Sequence, residues 1–65
     1  MATSLDEMPK VGAPATRALT GAGFTTLREL IDADRKHLAQ LHGVGPRALR
    51  IIDEELAAHG HSLRD

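Results

Sequence analysis

The chain has 65 residues with a formal net charge of −1; 42% are apolar, Phe24 is the single aromatic, and there is no Cys. That length allows one small domain, near the lower limit for folding alone, and leaves little wall for a catalytic cleft. The composition excludes a disulfide framework, a zinc ribbon and thiolate chemistry; no apolar run approaches a membrane span, and no signal-peptide pattern opens the chain.

In chain order, Ser4-Leu5-Asp6-Glu7 carries a Glu three residues after a Ser, a capping box that predicts a first short helix ended by Pro9. Pro14 suits the first turn of a second helix, which runs through Leu19 and stops at Gly21 or Gly23. Thr26-Leu27-Arg28-Glu29 is another capping box, predicting a short helix through Leu30 and Ile31. Asp34 caps a fourth, Arg35 to Leu41, and Gly43-Val44-Gly45 makes the next turn. Pro46 starts the longest helix, which ends near His59 with Gly60 as C′ residue. In it Leu49, Ile52 and Leu56 share one face. No segment alternates as a strand does. The prediction is a compact, all-α, five-helix domain over residues 4–63.

A shift of 33 aligns the chain with itself. Leu5 meets Leu38, Met8 meets Leu41, Val11 meets Val44, Gly12 meets Gly45, Ala15 meets Ala48, and Leu19 meets Ile52. Each unit reads as a short helix, a glycine turn and a second helix. The units span about residues 4–23 and 34–59. Neither can bury a face alone, so they are expected to share one aliphatic core.

The charges are segregated. Between residues 10 and 50, seven cations (Lys10, Arg17, Arg28, Arg35, Lys36, Arg47, Arg50) stand against Glu29, Asp32 and Asp34. The two ends hold Asp6, Glu7, Asp53, Glu54, Glu55 and Asp65 against Arg64 alone. A basic face beside an acidic one suits a polyanion, although solvated helix surface gives the same pattern.

A Gly-Val-Gly turn before a helix presents unpaired backbone N–H groups in one direction, and the helix dipole adds to them. That is a site for a phosphate. Gly43 and Gly45 supply the backbone, Val44 is expected to point inward, and Arg47 and Arg50 reach flanking phosphates. Lys10, Gly12 and Arg17 form the equivalent set in the first unit. Arg28 is expected to pair with Asp32 at i, i+4, with Arg35 and Lys36 as ordinary surface. His37, His42, His59 and His61 are too scattered for a metal site; His42 sits beside the phosphate turn, and His59 is expected to cap the carbonyls ending its helix. The run Asp53-Glu54-Glu55 either repels DNA or binds a protein partner.

Leu38-Ala39-Gln40-Leu41-His42-Gly43-Val44-Gly45-Pro46-Arg47-Ala48 resembles a helix-hairpin-helix DNA-binding motif at every defining position. The stretch from Leu5 to Ala15 resembles a second copy in which Lys10 replaces the first hairpin glycine. The whole chain from Leu5 to Leu63 is similar to the C-terminal domain of the bacterial RNA polymerase alpha subunit, a SAM-like fold. The resemblance implies duplex DNA binding on the minor-groove side, mostly through phosphates. The DNA-contacting Arg of the alpha-subunit domain aligns with Pro14, and Arg17 falls on a polar contact position. That departure points to sequence-independent binding rather than promoter-element recognition. The expectation is a non-enzymatic, cytoplasmic or nucleoid-associated protein with double-stranded DNA as partner and no metal, cofactor, small-molecule substrate or membrane. A SAM-like protein-interaction module attached to transcription or DNA-repair machinery is the alternative.

Overall fold

The computed structural model describes residues 3–65. It contains helices α1 (Ala13–Gly21), α2 (Arg35–Gln40) and α3 (Pro46–Ala58), with a 3₁₀ turn at Arg28–Leu30 before α2. There is no strand among the described residues, only a single parallel bridge between Asp34 and Arg64. Among the described residues the architecture is all-α, with three α-helices rather than the five the sequence predicts.

The first expected helix is a turn. Glu7 N–H donates to the Ser4 carbonyl (3.0 Å) and Asp6 N–H to Ser4 Oγ (3.2 Å), so the Ser serves its own turn and not a helix start. Pro9 restricts the residue before it and brings no N–H, which leaves no room for i→i+4 bonds. The Leu5 and Glu7 carbonyls instead accept from Arg28 and Leu27 N–H, both at 2.8 Å. The second capping box forms, but around 3₁₀ geometry. Glu29 Oε1 accepts from Thr25 N–H (2.7 Å) and Thr26 N–H (3.2 Å), while Glu29 N–H reaches Thr26 Oγ1 (3.4 Å). Ile31 turns extended and Asp32 takes φ +60°, which stops the helix after one turn. The i, i+4 pairing of Arg28 with Asp32 is thereby lost, and Arg28 pairs with Asp6 at 3.1 Å.

The other helix ends follow the sequence closely. Asp34 Oδ1 accepts from Lys36 N–H (3.0 Å) and caps α2. Both longer helices end in the same motif. After α1, Gly23 N–H donates to the Thr20 carbonyl (3.1 Å) and Phe24 N–H to that of Leu19 (2.8 Å). After α3, Gly60 N–H donates to the Ala57 carbonyl (3.0 Å) and His61 N–H to that of Leu56 (2.8 Å). This is the Schellman arrangement, with the C′ glycine at positive φ in each case.

The core is aliphatic. Ala15, Leu19, Leu27, Leu30, Leu38, Val44, Ala48, Ile52, Leu56 and Leu63 are all buried. Six of these ten occupy repeat positions, and Ala15 with Ala48 and Leu19 with Ile52 are buried in both units. Leu5 and Val11 are only half-buried where Leu38 and Val44 are enclosed. Leu63 closes the core from the C-terminal segment. That segment runs beside α2's entry: Asp32 N–H donates to the Ser62 carbonyl, Arg64 N–H to Ala33, and Arg35 N–H to Arg64, each at 2.9 Å.

Candidate nucleic-acid interface

The second hairpin is built on a four-residue turn over residues 41–44, closed by Val44 N–H to the Leu41 carbonyl (3.1 Å). Gly43 occupies its third position at φ +101°, the value a type II turn requires there. A Cβ on Gly43 would stand 2.7 Å from the Pro14 carbonyl oxygen, so glycine is demanded by both conformation and space. That close approach seats the hairpin against the first turn of α1. Val44 is 6% exposed and points into the core, as the sequence predicts.

Gly45 differs in kind. It is the N-cap of α3 at φ −101° and ψ −177°, an extended conformation open to any residue, and a Cβ there would meet nothing within 4 Å. No side chain caps α3, and Pro46 occupies its first position without an N–H. The N–H groups of Arg47 and Ala48 therefore receive no side-chain cap at the positive end of a 13-residue helix. The N–H groups of Gly43 and Gly45 have no acceptor among the described residues.

The first hairpin is not its equal. It closes by Val11 N–H to the Pro9 carbonyl (2.9 Å), a three-residue turn centred on Lys10. Lys10 carries a Cβ and keeps a negative φ, so the Gly43 turn is denied to it; the positive φ falls instead on Gly12, at +94°. Gly12 caps α1, and Pro14 removes one of the N–H groups of its first turn. The expected equivalence of the two glycine corners holds for the sequence alignment and not for the backbone.

Ion pairing sorts the cations. Arg28 is held by Asp6. Arg35 makes a two-pronged pair with Asp53 (2.6 and 2.9 Å) and also reaches Asp65 (2.5 Å). Hydrogen bonding to Asp53 and then Asp65 raises the Arg35 pKa above its already high value. Arg35 thus ties α2 to α3 and to the C-terminal segment, rather than being ordinary surface. Asp53 lies 18 residues away in the chain, and no local spacing announces the pair. Lys10, Arg17, Arg47 and Arg50 are all exposed, and none has a carboxylate partner among the described residues; Lys36 and Arg64 share that state. The Gly43–Pro14 contact sets the second hairpin against the start of α1.

The acidic run is largely occupied. Asp53 serves Arg35, and Glu55 Oε1 accepts from Thr3 N–H at 2.6 Å. His59 Nε2 lies 2.6 Å from the Thr3 carbonyl, so it holds the N-terminal segment instead of capping the carbonyls of α3. The His37 ring lies tilted by 57° against Phe24 with centroids 6.5 Å apart, and His42 and His61 are exposed.

Residues 2–57 match the family described as SAM-like helix-hairpin-helix tandem. The chain belongs to that family. Helix-hairpin-helix domains generally bind DNA or mediate interactions. Neither the curated proteins nor the solved structures yield a match.

Proposed function

We propose that this helix-hairpin-helix tandem is a non-enzymatic DNA-binding domain that captures backbone phosphates of a duplex, on the minor-groove side, with little regard to sequence. The reading rests on Gly45. The fold does not require glycine there, in conformation or in space, yet the residue stands at a helix start with no side-chain cap, two residues before the exposed Arg47. A glycine that nothing inside the protein needs is explained by another molecule's close approach. Gly43 shapes the corner, Val44 anchors it, and Arg47 and Arg50 supply charge, with Lys10, Gly12 and Arg17 as the contribution of the first unit.

The longest dimension is 27 Å, which spans about eight base-pair steps. A few phosphate contacts over that length give affinity on the order of micromolar or weaker at physiological salt. Such a domain suits an accessory role in a transcription- or repair-related assembly better than sequence recognition. The adaptor reading draws on the net negative charge, on Pro14 at the expected Arg position and on the acidic run, and of that run Asp53 and Glu55 are engaged within the molecule while Glu54 has no partner among the described residues.

A titration of the isotope-labelled protein with a short duplex, at two salt concentrations, tests the proposal. Amide shifts should cluster at residues 43–50 with smaller changes near Arg17, and binding should weaken as salt rises. Shifts that cluster elsewhere, or no response at low salt, would refute it.

A further inference from the structure

The two hairpins align in sequence and diverge in backbone, and three differences point the same way. Lys10 stands where the second unit has Gly43, and its turn closes through three residues instead of four. Gly12 has φ +94° where Gly45 has −101°, so the peptide groups at the two helix entrances are oriented differently. Pro14 stands where the second unit has Arg47, so the first turn of α1 lacks that cation, and the amide lost to proline is the second in α1 where in α3 it is the first, at Pro46. The Pro14 carbonyl is also the seat on which Gly43 rests.

We propose that the chain carries one amide-lined phosphate site rather than two, at the second hairpin, and that the first hairpin meets nucleic acid only through the Lys10 and Arg17 side chains. Lys10 and Pro14 are then the specificity-determining residues. Two matched amide corners would clamp both strands across a groove and demand a duplex. One corner with neighbouring side-chain charge grips a single sugar–phosphate strand, and the second strand adds little beyond its charge. The ligand class this defines is one nucleic-acid strand, whether or not it is paired. The inference rests on the phosphate-binding reading above.

The test uses the full chain, a duplex of about 12 base pairs and a single strand of the same length, at low salt. Amides of Gly43, Gly45, Arg47 and Ala48 are expected to shift with both ligands, and those of residues 10–15 far less. The single strand should bind within about threefold of the duplex. Lys10→Ala and Lys10→Gly should weaken binding equally, by about threefold, and lower the salt slope by about one. Because Lys10→Gly restores the glycine of the second unit, binding at least as tight as the parent's would reveal an amide site and overturn the proposal. Equal amide shifts in both hairpins, or a duplex preference of tenfold or more, would overturn it while leaving DNA binding intact. Silence toward both ligands would overturn it together with the DNA-binding reading. Dispersed amide spectra of both variants establish that each is folded.

Discussion

At the scale of single residues, Gly43 and Gly45 look interchangeable in the sequence and are opposites in the structure. Gly43→Ala forces a left-handed φ on a residue with a Cβ and drives that Cβ to 2.7 Å from the Pro14 carbonyl oxygen. The expected cost is about 2 kcal/mol or more, read from urea denaturation. Gly45→Ala has open space and an ordinary φ, so its unfolding free energy should stay within about 0.5 kcal/mol of the parent's. Under the proposed phosphate reading the same methyl stands in the path of the ligand, so duplex affinity should fall although stability does not. If Gly45→Ala binds as well as the parent, the amide corner is not the contact. The inward Val44 and the glycine corner were legible from the pattern, because apolar spacing and glycine placement are local signals. The difference between the two glycines was not, because it depends on where Pro14 comes to rest.

At the scale of elements, one signature led to two outcomes. Ser4 with Glu7 and Thr26 with Glu29 both read as capping boxes, but a capping box needs a helix with somewhere to go. Pro9 denies that to the first, and the left-handed Asp32 limits the second to a single 3₁₀ turn. The Schellman endings of α1 and α3 were readable because Gly23 and Gly60 are local punctuation. The partners of Arg28 and Arg35 were not, because both pairs join distant segments. Hydrogen bonds from Thr25, and more weakly Thr26, hold the Glu29 carboxyl below its usual 4.5, and those from Thr3 lower Glu55 in the same way. A carboxylate whose pKa is depressed by folding adds stability that is fully present above its unfolded value. That stability is lost as pH falls through the folded value. Melting temperature should therefore be level from neutral pH down to about 5 and decline below about 4.5. Glu29→Gln should melt lower than the parent at neutral pH, with the gap closing in acid as the parent's own carboxyl is protonated. A gap that persists unchanged at the acid end would mean that Glu29 acts through shape and not through charge.

At the scale of the whole molecule, the proposed function has stability and binding draw on separate sets of side chains. The sequence repeat fits that division: the apolar positions recur at 33 residues, while the cations between them recur only at Arg17 and Arg50. Ile52 is fully buried in the shared core of a 65-residue domain, where total stability is only about 3–5 kcal/mol. Ile52→Asp places an unpaired carboxylate there at a cost that exceeds this margin, so its helical circular dichroism should collapse at 25 °C. Arg47 and Arg50 lie on the same helix as Ile52, but both are exposed and make no ion pair among the described residues, and no helix terminus depends on their side chains. Arg47→Ala with Arg50→Ala should keep the parent's helical signal and melting temperature within a few degrees. The same double variant should lose about two units of salt slope in duplex titration, one for each phosphate contact given up. Should its melting temperature drop as far as that of a core variant, the cations belong to the fold and the interface lies elsewhere. If stability holds and the slope is unchanged, Arg47 and Arg50 are surface charge, and the polyanion is met by Lys10, Arg17 or Lys36 instead.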